Sequence, residues 1–205
     1  MGRPLVIGLT GGLAAGKSEA LSAFAEAGAA TISSDAIVHE LLGTPEVLAL
    51  LRERWGDEVA AGDTVDRGAV GSIVFGDPGE LEWLEKALHP RVGDRIASWL
   101  GDLPADTHIA VVEVPLLFEV GMHDVFDATV TVIADDAIRR ERAGVREQVM
   151  LEEREGRQLP QDEKAARAGH VVRNDGSVED LRRDIAELTA RLLEDTSGQG
   201  PSLPT

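Results

Sequence analysis

The sequence predicts an α/β protein of three layers, in which helices cover both faces of a mainly parallel, five-stranded sheet. Three observations support this prediction. Short apolar segments alternate with helical ones, the first apolar segment runs directly into a glycine-rich turn and a helix, and the 43% hydrophobic content of the 205 residues can fill a core. A strand, a glycine-rich turn, a helix and a second strand form the βαβ unit of a parallel sheet. Ligands of such sheets bind at the carboxyl ends of the strands.

Five short segments have the composition of strands. The third is nearly all apolar, which is typical of a strand buried on both faces, and the fourth alternates β-branched residues with others. The predicted strands are Leu5–Thr10, Ala29–Ser33, His108–Pro115, Ala128–Ile133 and Val171–Val172.

The helical segments differ in their surroundings. The first follows the glycine-rich turn and stops at Gly28, and the last is amphipathic. The predicted helices are Lys17–Ala27, Ile37–Leu42, Pro45–Trp55, Glu80–Leu88, Arg91–Leu100, Asp136–Ala168 and Val178–Leu193.

These elements predict one domain over residues 1–196. Residues from about 36 to 107 separate two strands and are mostly helical, so we expect a helical insertion beside the sheet. The charged helical stretch of residues 136–168 is expected to form a lid. Residues 197–205 are rich in Gly, Pro and Ser and are expected to be disordered.

The composition excludes several classes of protein. A formal net charge of −17 argues against binding to nucleic acids or anionic membranes. Without cysteine the chain has no disulfide, thiolate metal site or thiol nucleophile. It has no apolar run of transmembrane length, and the segment Met1–Leu5 lacks a secretory h-region. We therefore expect no membrane association and a cytoplasmic location, and no oligomeric state is predicted.

The glycine-rich turn is a phosphate-binding loop by its pattern. Gly11-Gly12-Leu13-Ala14-Ala15-Gly16-Lys17-Ser18 matches G-x-x-x-x-G-K-[ST] at every fixed position. The glycines let successive N–H groups converge on phosphate oxygens, and the helix start adds its positive dipole end. Lys17 is expected to reach the β- and γ-phosphates, and the Ser18 hydroxyl to bind Mg²⁺.

A chance glycine turn is the alternative explanation of this pattern. The motif requires a strand before it and a helix after it, and the predicted elements supply both. The sequence therefore predicts a P-loop NTPase fold that binds a nucleoside triphosphate, most simply ATP. The loop does not name the reaction, because regulatory switches and motors share it.

Asp35 follows the second strand, where a carboxylate can accept a proton from an acceptor hydroxyl. The same residue can instead cap a helix beginning at Ala36, and the residues alone leave both roles open. Glu113, inside the third strand, can act on Mg²⁺ through a neighbour or be a buried, hydrogen-bonded carboxylate. These alternatives also stay open.

Two further segments supply candidates. His89, in Leu88-His89-Pro90, stands at a predicted helix boundary and is more simply a partly buried structural histidine. Pro115 ends the third strand, and Glu119 follows it either over the ligand crevice or as a solvated carboxylate.

Arginines crowd the predicted lid. Most such side chains form a solvated face with glutamate neighbours, although phosphoryl transfer needs one or two cations. We select Arg142 and Arg146, which lie one helical turn apart. The arginines concerned are Arg139, Arg140, Arg142, Arg146, Arg154 and Arg157.

Together these segments resemble the dephospho-coenzyme A kinases from Leu5 to about Leu193. The matching segments follow the order and approximate spacing of the family. They are Gly8–Ser18, Asp35–Leu41, Leu88–Pro90, Pro115–Glu119 and Asn174–Ser177.

The resemblance implies ATP-dependent phosphorylation of the ribose 3′-hydroxyl of dephospho-coenzyme A. It implies that Asp35 is the base, that Lys17 and Arg142 stabilise the moving phosphoryl group, and that the insertion binds the acceptor. Further implied contacts are Arg146 and Asn174 for ATP, and Arg67, His89, Pro115, Leu116 and Glu119 for the acceptor.

The sequence departs from the family at two informative positions. Ala14 stands where the family usually has glycine, and alanine tolerates most conformations outside the left-handed region. Ser33 replaces the first aspartate of a usual D-x-D pattern.

Two other functions remain as alternatives. A kinase of the same fold can act on a nucleoside or nucleotide, because the insertion selects the acceptor. A nucleotide-dependent switch is less well supported, because the chain has no N-K-x-D segment of the kind that GTP-specific switches carry.

Overall fold

The structure, a computed structural model, describes residues 3–143 and 158–198. These residues form two compact units. The sheet unit comprises the chain up to Ile32 and from Leu103 onward, and the helical unit comprises Ser33–Asp102. None of the described helices combines the length and the apolar character that crossing a bilayer requires.

The elements alternate in the order expected for an α/β protein. The strands are β1 (Leu5–Gly11), β2 (Ala30–Ser33), β3 (Ala60–Ala61), β4 (Thr64–Val65), β5 (Ile109–Glu113), β6 (Ala128–Ile133) and β7 (His170–Arg173). The helices are α1 (Lys17–Glu26), α2 (Ser34–Leu41), α3 (Pro45–Trp55), α4 (Arg67–Gly76), α5 (Pro78–Gly101), α6 (residues 136–143), α7 (Gln161–Arg167) and α8 (Val178–Gly198).

The main sheet has five strands in the order β2-β5-β1-β6-β7. β1 lies at its centre and pairs in parallel with both β5 and β6, and β6 pairs in parallel with β7. The register places Leu5 opposite Ile109 and Ile7 opposite Ala128. The predicted five-stranded, mainly parallel α/β fold is confirmed.

The core of the sheet unit lies between the sheet and the helices α1 and α8. Phe24 of α1 and Ile185 of α8 are both 0% exposed, as is Ile7 of β1. Burying one such side chain contributes roughly 1.5–3 kcal/mol to folding. This packing fixes α1 against β1, and therefore fixes the loop that joins them.

The helical unit contains one long helix where two were predicted. α5 runs without a break from Pro78 to Gly101 and passes through Pro90. Proline removes a helical N–H and is costly in a helix interior. Here a row of apolar side chains four residues apart stays buried on both sides of the proline, and this packing outweighs its cost. The row consists of Leu84, Leu88, Val92 and Ile96.

Other boundaries also differ from the sequence prediction. The two-stranded pair of β3 and β4 is antiparallel and was not predicted. Residues 158–160, inside the predicted charged helix, are not helical. Residues 144–157 and 199–205, which carry much of the predicted lid and tail, lie outside the described residues.

Candidate active site

The phosphate loop joins the central strand β1 to helix α1, as the motif requires. Gly11 closes β1 against β6 so tightly that a Cβ atom there would lie 2.3 Å from the carbonyl oxygen of Val132. The N–H of Gly12 donates to the same oxygen at 3.3 Å. Only glycine fits at this first fixed position of the motif.

The second fixed glycine makes room for another side chain. Gly16 has φ 97° and precedes the first residue of α1. A Cβ atom on it would lie 2.2 Å from Nδ2 of Asn174. That amide is buried, and its Nδ2 donates to the carbonyl oxygen of Ala15 at 2.9 Å. Asn174, just after β7, therefore fixes the backbone of the loop at Ala15.

Ala14 adopts a left-handed backbone conformation. Its φ of 56° makes it the single non-glycine residue with positive φ among the described residues. This is a region that alanine, unlike glycine, tolerates poorly. The conformation costs an L-residue roughly 1–2 kcal/mol relative to glycine. Such strain persists only where neighbouring contacts over-determine the backbone.

The neighbouring contacts are present on both sides. Nε of Arg139, from α6, donates to the carbonyl oxygen of Leu13 at 2.8 Å. The N–H of Ala15 donates to the carbonyl oxygen of Gly12 at 3.2 Å. The loop is thus held in shape by the protein itself.

Lys17 begins α1 and folds back over the loop. Its Nζ donates to the carbonyl oxygens of Gly12 at 3.0 Å and Gly11 at 3.3 Å. The first N–H groups of a helix have no intrahelical acceptor and carry the positive end of its dipole. The predicted binding of phosphate by this ammonium group and by these amides remains a prediction.

Ser18 lies in the first turn of α1 and is exposed. Its hydroxyl is a hard oxygen ligand of the kind that Mg²⁺ accepts. No cluster of three or more His, Asp or Glu side chains suited to a metal occurs among the described residues.

Arg142 of α6 contacts the same asparagine that supports the loop. Its Nη1 donates to the carbonyl oxygen of Asn174 at 3.0 Å, and its Nη2 lies 3.5 Å from Oδ1. The role predicted for Arg142, which is to stabilise the moving phosphoryl group, and the role of Asn174 in binding ATP remain predictions. Arg146, Arg154 and Arg157 lie outside the described residues.

The loop that follows Asn174 is also anchored. Oδ1 of Asp175 accepts the N–H of Asp135 at 2.6 Å. This hydrogen bond, followed by that from the Arg173 guanidinium, holds the pKa of the Asp175 carboxyl below its ordinary value. The turns after β6 and β7 are therefore tied together beside the phosphate loop.

The segment after β5 is held by a lysine that the sequence prediction missed. Nζ of Lys164, a residue 0% exposed, donates to the carbonyl oxygen of Pro115 at 2.6 Å and lies 2.9 Å from Oε1 of Glu119. The N–H of Leu159 also donates to Glu119 Oε1, at 2.8 Å. The interpretation of Glu119 as a solvated carboxylate is wrong. Leu116 beside it is half-buried.

Asp35 lies in the first turn of α2, in the helical unit. The helix begins at Ser34 with Ser33 as its N-cap residue, so the alternative that Asp35 caps a helix starting at Ala36 is wrong. Its side chain is exposed, and it makes no hydrogen bond or ion pair with any residue in the described ranges. This leaves the carboxylate available for chemistry.

Two more candidates belong to the helical unit. Nη1 of Arg67, at the start of α4, lies 2.7 Å from Nδ1 and 2.6 Å from Nε2 of His39. His89 is exposed in the middle of α5. Its interpretation as a partly buried structural histidine is therefore wrong, and so is its placement at a helix boundary.

Comparison with known proteins connects this geometry to one family. The family model described as dephospho-CoA kinase matches residues 5–180. The chain belongs to the dephospho-CoA kinase family. The resemblance seen in the sequence is thereby confirmed.

Individual known proteins are similar to this chain over nearly their whole length. The dephospho-CoA kinase of Anaeromyxobacter dehalogenans is 41% identical, with 97% of this chain and 96% of that protein covered. The crystal structure of TT1252 from Thermus thermophilus is 31% identical with a TM-score of 0.80, covering 93% of this chain and 99% of that one.

A more distant relative agrees in fold. The dephospho-CoA kinase from Campylobacter jejuni is 20% identical, with a TM-score of 0.65, and the match covers 93% of this chain and 98% of that one.

Proposed function

We propose that this protein transfers the γ-phosphoryl group of ATP to the ribose 3′-hydroxyl of dephospho-coenzyme A. The products are coenzyme A and ADP, and the reaction is the last step of coenzyme A biosynthesis. Membership of the dephospho-CoA kinase family supports the acceptor. The single observation that carries the proposal is the phosphate loop. Its fixed glycines are closely packed, and Lys17 at the start of α1 donates a hydrogen bond to its backbone.

Binding of the triphosphate falls to the loop and to α1. The backbone N–H groups and Nζ of Lys17 neutralise the phosphates without a large change in the backbone, because the loop is already shaped by its own contacts. Mg²⁺, when bound, neutralises charge on the β- and γ-phosphates, and the Ser18 hydroxyl would hold it. The −17 net charge does not prevent this, because local dipoles and cations dominate at short distance.

Activation of the acceptor hydroxyl falls to Asp35. Its exposed carboxylate lies in the first turn of α2 and is not engaged in a hydrogen bond or ion pair with any described residue. It accepts the proton of the attacking hydroxyl. Arg142 and Arg146 supply positive charge to the transferring phosphoryl group. The acceptor contacts are assigned to Arg67, His89, Pro115, Leu116 and Glu119.

We place the enzyme in the cytoplasm, with ATP and dephospho-coenzyme A as its partners. The acidic composition supports the exclusion of nucleic acid as a partner. The absence of cysteine fits a protein that needs no oxidising compartment to fold.

The experiment is a coupled ADP-release assay in the presence of Mg²⁺. We expect turnover with ATP and dephospho-coenzyme A and at most background release with adenosine, AMP or shikimate as acceptor. Identification of the product by mass and by phosphorus NMR locates the new phosphate on the 3′-oxygen. ADP release that does not depend on dephospho-coenzyme A, or faster turnover with a nucleoside, would overturn the proposal.

A further inference from the structure

The strained Ala14 is flanked by two side-chain hydrogen bonds to the loop backbone. Arg139 Nε holds the carbonyl oxygen of Leu13 immediately before it, and Asn174 Nδ2 holds the carbonyl oxygen of Ala15 immediately after it. With φ at 56°, Ala14 occupies a region that glycine enters freely and alanine does not. The strain and the two hydrogen bonds therefore coincide at one point of the phosphate loop.

Arg139 is itself held in place for this contact. Its side chain is 12% exposed, and Nη1 forms an ion pair with Asp136 one turn earlier on α6 at 2.9 Å. Nε also lies 3.5 Å from the position that a Cβ atom on Gly12 would occupy. The guanidinium group thus packs on the first half of the loop with restricted freedom. A side chain already ordered in this way loses little entropy when it fixes the backbone.

The carbonyl that Arg139 holds determines where an amide points. The C=O of Leu13 and the N–H of Ala14 belong to one trans peptide plane and point in opposite directions. Fixing that oxygen on the α6 side therefore directs the Ala14 N–H to the other side of the loop backbone. N–H groups aligned in this way form the anion-binding concavity of a phosphate loop.

We propose that Arg139 is a positioning residue that compensates for alanine at position 14. By holding the Leu13–Ala14 peptide, it keeps Ala14 in the left-handed conformation and so presents the Ala14 N–H to the nucleotide phosphates. The inference rests on the proposed function only in requiring that the loop binds nucleotide. It is independent of the identity of the acceptor.

The test is a double-mutant cycle between Ala14→Gly and Arg139→Gln, measured as the Kd of ADP and of a non-hydrolysable ATP analogue by calorimetry. In the wild-type background we expect Arg139→Gln to weaken nucleotide binding about tenfold. In the Ala14→Gly background we expect Arg139→Gln to weaken nucleotide binding less than about threefold, because glycine adopts the left-handed conformation without the hydrogen bond from Arg139. Arg140→Gln, which removes the same charge from an exposed neighbour on α6, is the matched control and should change binding less than about twofold in either background.

Steady-state kinetics adds a readout that general damage to the fold does not reproduce. Arg139→Gln should raise KM for ATP and leave KM for dephospho-coenzyme A unchanged, and Ala14→Gly in the same chain should restore KM for ATP. If Arg139→Gln unfolds the protein, Arg139→Lys provides the second variant. It keeps the charge and loses the planar donor, so it should weaken ADP binding in the wild-type background and not in the Ala14→Gly background.

Two results would overturn the inference. Equal weakening of ADP binding in both backgrounds would mean that Arg139 contacts the nucleotide directly or acts through α6 as a whole. Unchanged ADP binding in Arg139→Gln would mean that the hydrogen bond from Arg139 to the Leu13 carbonyl has no effect on the loop. Since ADP binding is measured without acceptor, failure to phosphorylate dephospho-coenzyme A would contradict the proposed function and leave the outcome of this cycle intact.

Discussion

Lys164 and Glu119 form an ion pair of 2.9 Å that is enclosed by the sheet unit. The lysine side chain is 0% exposed and the carboxylate side chain 13% exposed. The same ammonium group donates to the carbonyl oxygen of Pro115. The segment after β5, which carries three of the predicted acceptor contacts, is therefore tied to α7 by one buried cation.

Breaking this pair from one side should destabilise the protein strongly. Lys164→Met removes the ammonium donor, so that among the described residues only the Leu159 N–H still donates to the Glu119 carboxylate and only the Thr10 hydroxyl to the Pro115 carbonyl. Removal of one partner of a buried pair costs about 3–5 kcal/mol. The double variant Lys164→Met with Glu119→Gln should recover at least about 1 kcal/mol of that loss. Urea unfolding followed by far-UV circular dichroism measures both. Equal stability of the single and double variants would contradict the pairing.

Lys17→Ala should remove activity with little change in stability. The ammonium group supplies charge stabilisation to the transferring phosphoryl group, and loss of one such contact lowers kcat by about 100-fold or more. ATP should also bind more weakly, which calorimetry measures directly. Lys86→Ala is the control, because Lys86 is 74% exposed on α5 and pairs with Glu82 one turn earlier. Wild-type ATP affinity and turnover in Lys17→Ala would remove the basis of the proposed function.

Asp35→Asn should separate chemistry from nucleotide binding. Loss of a general base lowers kcat by about 10²–10⁴-fold, whereas the phosphate loop is untouched and ATP affinity should stay within about twofold. Asp57→Asn is a matched control, since Asp57 is 94% exposed in the same unit. Near-normal turnover in Asp35→Asn would show that another group accepts the proton.

Gly16→Ala should disrupt the loop through a direct clash. The added methyl group would lie 2.2 Å from Asn174 Nδ2 at a backbone φ of 97°, so Asn174 must move and release the Ala15 carbonyl. We expect a loss of stability of at least about 1 kcal/mol together with much weaker ATP binding. Gly93→Ala, inside α5 with nothing within 4 Å of the added atom, should be neutral or stabilising. ATP affinity unchanged in Gly16→Ala would contradict the described packing.

Low pH should lower the stability of the folded protein, partly because the Asp127 carboxylate becomes protonated. Hydrogen bonds from the Arg3 guanidinium, and in smaller part from the N–H of Val6, lower the pKa of the Asp127 carboxyl. A lowered pKa in the folded state contributes stability above the unfolded value of about 3.9, and this contribution is lost as the pH falls through the folded value. The contribution should be less than about 1 kcal/mol, because solvent screens a pair whose arginine is 70% exposed.

The variant Asp127→Asn should therefore be slightly less stable than the wild type at pH 7, and the difference should vanish near pH 2. Denaturant unfolding at a series of pH values measures it, with Asp106→Asn, an exposed position in the same unit, as control. A stability difference that grows as the pH falls would have the wrong sign.

The sequence predicted the sheet and the phosphate loop well, because both depend on local patterns. Apolar runs identify strands, and the spacing of Gly11, Gly16 and Lys17 between a predicted strand and a predicted helix identifies the loop. It predicted the helical unit less well. The buried row from Leu84 to Ile96 carries α5 through Pro90, and such packing depends on neighbours that a local pattern does not contain.

The supporting contacts of the site were the hardest to predict. Arg139 and Lys164 belong to the highly charged stretch of residues 136–168, in which most charged side chains are expected to be solvated. Their tertiary contacts distinguish them. Arg139 contacts Leu13 of the loop, and Lys164 contacts Glu119 after β5. Asn174 was selected through the family resemblance, whereas its bond to Ala15 follows only from the folded structure.

The register of the central strand also bears on how the chain acquires its structure. β1 pairs with β5, with Leu5 opposite Ile109, so its first neighbour in the sheet arrives about a hundred residues later. Closing so long a loop has an entropic cost before any contact repays it, and distant pairings of this kind form slowly. During synthesis the β1 segment therefore leaves the ribosome with unpaired edges, while α2–α5 can already find one another. An unpaired strand edge exposed in this way is prone to aggregation until its partner strand has been synthesised.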